Sequence, residues 1–200
     1  MIHLPPKNPS YEFPSFVEEG HVYKDKAGII IPSITQILKG IPEYEGNFND
    51  NNRDWGKARH MVTQLYDEKD LNEATVEDGL KPALEAWKAF VLKSEFKPLL
   101  IEQPLMHQKL RFAGRPDRYG LCFGLPSIVE IKPKYINKRV QFQTAAQKLL
   151  IEDLGYKVDW RYSLHLSDSG SYNLEPHDNW RDEFVFKDLL EEYRKTEVKV

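Results

Sequence analysis

Apolar and polar positions alternate along much of the chain after residue 98, whereas residues 55–69 and the segment that begins at Pro82 show helical spacing. The alternation predicts strands at residues 99–103, 109–112, 115–122, 127–132, 158–166 and 172–174. Helical spacing predicts helices at residues 55–69, from Pro82 onward, at 138–154 and at 179–195. Helices, then a run of strands, then a helix leading to another strand predict an α/β (α+β) fold with a mixed central sheet flanked by helices.

Turn and cap residues divide the N-terminal part of the chain. Residues 1–20 hold four of the thirteen prolines and no periodic pattern, which predicts an extended and partly loose arm. Residues 21–31 predict two short strands around a turn. Ser33 and Gln36 predict a capping box at the start of a short helix, and Gly40 predicts a left-handed residue at the end of this helix. Residues 41–54 predict an exposed mobile loop, and residues 21–200 are expected to form one domain.

Bulk composition restricts the possible classes of protein. A chain of 200 residues with 40% apolar residues is long enough to bury a core. Cys122 is the only cysteine, which excludes an internal disulfide, a four-cysteine zinc site and a four-thiolate iron–sulfur cluster. No apolar run reaches the roughly 18 residues that span a bilayer, and the N-terminus lacks the pattern of a secretion signal. We therefore expect a cytoplasmic protein that does not bind membranes.

Two acids and a lysine form the clearest chemical pattern. Asp117 precedes one predicted strand, and Glu130-Ile131-Lys132 ends the next. Because side chains alternate along a strand, Glu130 and Lys132 share one face. Carboxylates on neighbouring strands can hold Mg²⁺ or Mn²⁺, and the lysine can orient or help to deprotonate a water molecule. A similar pattern arises by chance in roughly one chain in ten, and a solvated Glu–Lys pair on an amphipathic strand also explains it.

Residues on three other elements help to decide between a metal site and a solvated Glu–Lys pair. The helix at residues 55–69 places Met61 and Val62 inward and His60 on the opposite side, as a surface residue or a metal ligand. Glu102 is either a solvent-facing strand acid or a group near the metals or near an arginine that contacts phosphate. Gln143 and Gln147 share one helix face, where they either satisfy backbone groups or contact substrate or Lys132.

Positive charge is concentrated around the same pattern, although the net charge of the chain is −3. The cluster predicts a surface that binds phosphate groups, and its alternative is a solvated strand edge. Interleaved aromatic residues are candidates for stacking on the bases of a single strand or for the core. The cations are Lys109, Arg111, Arg115, Arg118, Lys132, Lys134, Lys138 and Arg139, and the aromatic residues are Tyr119, Tyr135 and Phe142.

Six short segments occur in an order that resembles the PD-(D/E)xK nucleases of the RecB-like branch, including phage exonucleases and the mitochondrial genome maintenance exonuclease group. The segments are IPSITQIL, WGKARHMVTQLYD, IEQPL, FAGRPDRYG, IVEIKPK and VQFQTAAQKLL, spread over about residues 22–165. The resemblance implies a restriction-endonuclease-like core that hydrolyses DNA with Mg²⁺ or Mn²⁺.

The resemblance also implies roles for single residues. His60, Asp117 and Glu130 would bind metal, with the backbone carbonyl of Ile131 completing the shell, and Lys132 would be the catalytic lysine. Gln143 matches the glutamine of the Q-x-x-x-Y helix of the family, but Gln147 stands at the tyrosine position, and Pro133 replaces a small hydroxyl residue. The residues expected to contact DNA are Glu102, Arg115, Lys134, Arg139, Gln143 and Gln147.

These observations together predict a metal-dependent DNA exonuclease acting on single strands or ends in phage-type recombination, replication or repair. An endonuclease that cuts branched DNA is a close variant. A non-catalytic nucleic-acid-binding module that keeps the fold is the alternative from another class. A metallohydrolase for some other phosphodiester, such as a nucleotide, is a third possibility.

Overall fold

The computed structural model describes residues 2–41, 50–132 and 139–197, with the backbone alone at 50–54 and 197. The strands of this part are β1 Ser15–Val17, β2 Val22–Lys24, β3 Ile30–Ile31, β4 Lys97–Ile101, β5 Leu105–Met106, β6 Ala113–Gly114, β7 Arg118–Cys122, β8 Leu125–Lys132, β9 Trp160–Leu166 and β10 Tyr172–Pro176. The α-helices are α1 Ile34–Ile37, α2 Asp50–Asp67, α3 Lys81–Ser94, α4 Val140–Asp153 and α5 Arg181–Glu197. No helix among these residues is long and apolar enough to cross a membrane.

A five-stranded mixed sheet lies at the centre of the fold, in the order β10-β9-β8-β7-β4. Strands β8 and β9 are parallel, and the other neighbours are antiparallel. A parallel pair needs a long crossover, and α4 lies in the segment that joins β8 to β9. The mixed sheet flanked by helices is therefore confirmed, and it is consistent with the restriction-endonuclease-like core that the resemblance implied.

Both faces of the sheet are covered. Successive residues of β8 point to opposite faces, and both Ile128 and Val129 are fully buried. Ile128 belongs to the core formed with α4 and α5, whereas Val129 belongs to the core formed with α3 around Trp87. Burying a side chain of this size contributes about 1.5–3 kcal/mol. The two cores hold β8 in place, and β8 carries the Glu130-Ile131-Lys132 segment.

The cap at the start of α1 is confirmed, but the predicted end is wrong. Ser33 accepts a hydrogen bond from the backbone of Gln36, and the Gln36 side chain accepts one from the backbone of Ser33. A 3-10 turn, Leu38–Gly40, follows α1, and Gly40 has no positive φ. The N–H of Ile41 bonds to the carbonyl of Leu38, so the helix end is satisfied without a left-handed residue.

Two other local predictions are wrong. Residues 109–112 form no strand, because the N–H of His107 bonds to the carbonyl of Phe112 and closes a turn between β5 and β6. Residues 50–54, predicted as loop, are the start of α2, while residues 42–49 of the predicted loop lie outside the described residues. On α2, Met61 is 64% exposed although it was predicted inward, whereas Val62 is buried as expected.

The first twenty residues make more contacts than a loose arm would. Leu4 and Tyr11 are buried in the core beside α4 and α5. The N–H of Leu4 bonds to the side chain of Gln103 at 2.8 Å, and the N–H of Lys7 bonds to the carbonyl of Leu154 at 3.0 Å. Strand β1 pairs with β2 in a small antiparallel sheet. The absence of a periodic pattern therefore did not mean the absence of packing.

Candidate metal centre

Three side chains from separate elements converge at one end of the central sheet. His60 lies on α2, Glu102 directly follows β4, and Asp117 directly precedes β7. The Nδ1 atom of His60 is 3.3 Å from Oε1 of Glu102 and 3.5 Å from Oδ1 of Asp117. One ligand atom from each residue lies within 4.8 Å of the other two. This His/Glu/Asp cluster could bind a metal ion.

The backbone at Glu102 brings its side chain into this cluster. Glu102 has φ +48°, in the left-handed region that non-glycine residues seldom adopt. Its N–H donates a 3.2 Å hydrogen bond to the carbonyl of Asp117, which offsets part of the cost of this conformation. The extended strand ends here, so Glu102 turns toward His60. Glu102 lies beside both His60 and Arg115, and its role near a metal or near an arginine that contacts phosphate stays a prediction.

A buried network around Arg118 fixes α2 against β7. The Arg118 guanidinium donates to the carbonyl of Asp117 at 2.7 Å, to Oδ2 of Asp67 at 2.7 Å and to Oγ1 of Thr63 at 3.1 Å. The indole of Trp87 donates to Oδ1 of Asp67 at 2.9 Å. Since Thr63 and Asp67 follow His60 on the same helix, this network positions the imidazole relative to Asp117. Sequence reasoning missed this supporting role of Thr63, Asp67 and Trp87.

Glu130 lies on the same face of β8 as Lys132 and is enclosed by donors. The Nζ atom of Lys132 donates to Oε1 of Glu130 at 2.9 Å. Gln143 donates to the same oxygen at 2.5 Å, and Gln147 donates to Oε2 at 2.7 Å. Both glutamines of the α4 face therefore contact Glu130. Oε1 of Gln147 is buried and has no hydrogen-bond partner among the described residues.

The backbone of Ile131 joins the two carboxylates. Its N–H donates a 2.7 Å hydrogen bond to Oδ2 of Asp117, so one oxygen of Asp117 is held by β8 while the other faces His60. A carboxylate fixed at one oxygen can offer the other to a cation without losing its orientation. The role of the Ile131 carbonyl as a metal ligand stays a prediction.

The cluster has an excess of negative charge in a buried environment. Burial raises the pKa of Asp117, and burial together with the nearby Asp117 carboxylate raises the pKa of Glu130. Burial opposes protonation of His60, but the carboxylates of Asp117 and Glu102 outweigh it and raise the imidazole pKa. The metal-free site therefore favours bound protons, and a cation can take their place.

The cationic surface that the sequence predicted is present only in part. Arg118 is fully buried, so its assignment to this surface is wrong. Arg111 pairs with Asp25 at the small N-terminal sheet. Arg115 keeps a place beside the site, because its Nε lies 3.0 Å from Oε2 of Glu102.

Arg139, which was predicted to contact DNA, lies at the start of α4. Arg139 is the N-cap residue of α4, and its guanidinium donates to the backbone carbonyls of Ile41 and Lys39. Lys134 lies outside the described residues, as do Pro133, Tyr135 and Lys138. The contacts of Arg115 and Arg139 with DNA stay predictions.

Two solved structures of LHK-Exo, an alkaline exonuclease from Laribacter hongkongensis, are similar to the chain. The structure in complex with dAMP has 12% sequence identity and a TM-score of 0.37, covering 83% of this chain and 89% of LHK-Exo. The other has 13% identity and a TM-score of 0.34, covering 84% of this chain and 91% of LHK-Exo. No protein-family model and no curated protein match the chain. Its function therefore has to be inferred from the site.

Proposed function

We propose that this protein is a Mg²⁺- or Mn²⁺-dependent deoxyribonuclease that hydrolyses phosphodiester bonds. The observation that carries the proposal is the convergence of His60, Glu102 and Asp117 within 4.8 Å of one another. Glu130 and Lys132 stand beside them on β8, joined to Asp117 through the N–H of Ile131. An acid cluster next to a lysine is the set of groups that metal-assisted hydrolysis of a phosphodiester needs.

The chemistry of the donors fits these two cations. Carboxylate oxygens suit Mg²⁺ and Mn²⁺, and a single imidazole is compatible with Mn²⁺. The described residues near the cluster include no thiol, since Cys122 is buried in the core formed with α3. A bound divalent cation supplies a water that ionises near neutral pH and positive charge that offsets the charge developing on the phosphate.

The side chains around the candidate metal centre have separate roles in the proposed reaction. Lys132 and the two α4 glutamines hold Glu130 in one orientation, so that the carboxylate keeps a fixed position beside Asp117. Lys132 is 13% exposed at its side chain, which lets its ammonium orient the attacking water while it stays next to Glu130. His60 and Glu102 complete the donor set from the opposite side.

Degradation of end-labelled DNA tests the proposal. The purified protein should degrade DNA with Mn²⁺ or Mg²⁺ and stop on addition of EDTA. Asp117→Ala and Lys132→Ala should each lower turnover by at least 100-fold while circular dichroism stays unchanged. Asp78→Ala is the matched control, because the Asp78 side chain is 94% exposed and lies on the loop before α3. Cleavage that persists in EDTA, or in both variants, would contradict the proposal.

More specifically, we propose that the protein is an exonuclease that acts on single strands or DNA ends, in phage-type recombination, replication or repair. This proposal rests on the order of the sequence segments that resemble the RecB-like branch. Linear and circular single strands, blunt duplexes and branched duplexes should be compared at equal nucleotide concentration. Loss of linear but not circular strands supports exonuclease action, whereas cleavage of circles supports an endonuclease. Binding without cleavage of any substrate would favour a non-catalytic module.

A further inference from the structure

Two large aromatic rings are exposed together at the start of α5. Trp180 directly precedes the helix and is 65% exposed, and Phe184 lies in its first turn and is 57% exposed. Their ring centroids are 5.4 Å apart and their planes are nearly perpendicular. Contiguous exposed apolar patches often mark a binding surface. We call this pair the aromatic platform.

A cation lies over each ring of the aromatic platform. The Arg181 guanidinium is 5.5 Å from the centroid of Trp180, and the Lys187 ammonium is 5.7 Å from the centroid of Phe184. Within the described parts of the chain, neither cation forms a salt bridge. Positive charge therefore borders both rings of the aromatic platform.

The acids of the first turn of α5 are already neutralised. Asp182 is buried and pairs with Arg161 at 2.9 Å, and Glu183 pairs with Lys148 at 2.6 Å. The exposed acids Asp178 and Asp188 remain nearby along the chain. The local charge beside the rings is therefore small, and attraction of a polyanion depends on the two cations over the rings.

Arg161 connects the aromatic platform to the candidate metal centre. Its guanidinium donates to the carbonyl of Asn179, the residue before Trp180, at 3.0 Å, and to the carbonyl of Gln141 at 2.8 Å. Gln141 and Gln143 both lie in the first turn of α4, and Gln143 donates to Glu130. On the sheet, Arg161 pairs with Ile128, two residues or about 7 Å along β8 from Glu130. Arg161 therefore joins the residue before Trp180 to the first turn of α4, from which Gln143 reaches Glu130.

We propose that the aromatic platform binds single-stranded DNA by stacking on bases, while Arg181 and Lys187 contact the adjoining phosphates. The proposal rests on the proposed nuclease function and names single strands as the substrate class of that site. Aromatic rings bordered by cations are the common solution for binding single strands without sequence preference, because every base offers a flat face and every nucleotide a phosphate.

The size of the aromatic platform argues against a stable protein interface. A large aromatic side chain buries about 150–250 Å² when fully covered, so two rings supply at most about 500 Å². A stable protein–protein interface buries at least about 600 Å² on each partner, which is more than the two rings alone can supply. A single strand needs only two or three stacked bases, which two rings can provide.

Binding of fluorescently labelled oligonucleotides in EDTA tests this proposal without any need for catalysis. Trp180→Ala and Phe184→Ala should each weaken binding of a long thymidine strand by about five- to tenfold. Phe123→Ala is the matched control: Phe123 is 53% exposed at the turn joining β7 to β8, at the opposite end of β8 from Lys132. The Phe123→Ala protein should bind the thymidine strand as tightly as the wild type does.

Two further measurements separate stacking from charge. An abasic strand of the same length should bind the wild-type protein and Trp180→Ala equally. The double variant Arg181→Gln, Lys187→Gln should lower the slope of log affinity against log salt by about 1.4, or about 0.7 for each lost phosphate contact. Trp180→Phe should keep most of the affinity but lose the quenching of tryptophan fluorescence by the strand.

The two proposals fail in different ways. Equal affinities of wild type, Trp180→Ala and Phe184→Ala for the thymidine strand would overturn the aromatic platform, even if the protein cuts DNA with Mn²⁺. The aromatic platform would also be overturned if Trp180→Ala weakened binding of the abasic strand as much as binding of the thymidine strand. Absence of cleavage with every metal would instead count against the nuclease, while binding in EDTA still decides the platform.

Discussion

Arg118 and Asp67 form an ion pair with almost no access to solvent, with Nε of Arg118 2.7 Å from Oδ2 of Asp67. The two side chains are 0% and 3% exposed. Burial raises the pKa of Asp67 even though Arg118 opposes the shift. The cost of removing both charges from water therefore cancels much of their mutual attraction, as is usual for buried ion pairs. The pair serves to position the site, because the same guanidinium binds the carbonyl of Asp117 and Thr63 on the helix of His60.

Removal of one partner of this pair should destabilise the protein strongly. Asp67→Ala leaves the Arg118 charge buried without a carboxylate, and we expect a loss of about 3–5 kcal/mol in the free energy of unfolding. Urea denaturation followed by circular dichroism measures this loss. The matched control is Asp168→Ala, which removes the partner of Arg59 from an 81% exposed position and should cost at most about 1 kcal/mol. Similar losses in both variants would contradict the structural role of the Arg118 pair.

Glu102 should contribute to metal affinity. If it supplies an oxygen to the same ion as His60 and Asp117, Glu102→Gln should weaken Mn²⁺ binding by about 10–100-fold, because loss of groups in or around a metal shell has effects of this size. Isothermal titration calorimetry with Mn²⁺ measures the affinity directly. Glu18→Gln is a matched control, since Glu18 also contacts Arg115, at 3.5 Å, but its side chain is 77% exposed. Equal affinity of both variants would remove Glu102 from the set of ligands.

Features that depend on neighbours along the chain were predictable from sequence. The capping box of Ser33 and Gln36 needs only two residues three positions apart, and the shared face of Glu130 and Lys132 follows from the strand period. The mixed sheet also followed, because the order of strands and helices leaves few ways to connect them. The first two signals lie within a single element, and the third needs only the order of the elements along the chain.

Features that depend on distant partners were not predictable. Arg118 looked like a surface cation, and only the approach of α2 to β7 shows that Asp67 and Thr63 surround it. Met61 looked like a core residue but is 64% exposed, because part of the inward side of α2, at Thr63 and Asp67, faces the buried Arg118. Hydrophobic periodicity assumes an apolar partner surface, so it fails where a helix packs on a buried polar network.

Gln147 should act through Glu130. Gln147→Leu removes the donor on Oε2 of Glu130 and leaves a buried oxygen without a partner, so we expect turnover on DNA to fall by about tenfold, equivalent to about 1.4 kcal/mol. A double-mutant cycle with Glu130→Gln distinguishes this from a general loss of stability. If Gln147 acts only by holding the carboxylate, Gln147→Leu should have little further effect on turnover in the Glu130→Gln protein. Additive effects would show that it acts elsewhere.

The charge of the metal-free site should make stability depend on pH. The pKa values of Asp117, Glu130 and His60 are all raised, so the folded protein binds more protons than the unfolded chain. Their contribution to stability is present below the ordinary pKa of each group and is lost as the pH rises through the raised value. Three histidines with lowered pKa values act in the opposite direction, and they are His21, His107 and His177.

Comparison with Asp117→Asn isolates the contribution of the site, because those three histidines are the same in both proteins. The free energy of unfolding of the metal-free wild type, relative to that of Asp117→Asn, should fall as the pH rises from about 5 to 8. Mn²⁺ at 100 times its dissociation constant should then restore about 2.7 kcal/mol to the wild type. This gain should be smaller at low pH at the same Mn²⁺ concentration, since protons compete for the same ligands. A relative stability that is independent of pH, together with no shift on adding Mn²⁺, would contradict both the raised pKa values and the assignment of these groups to a metal centre.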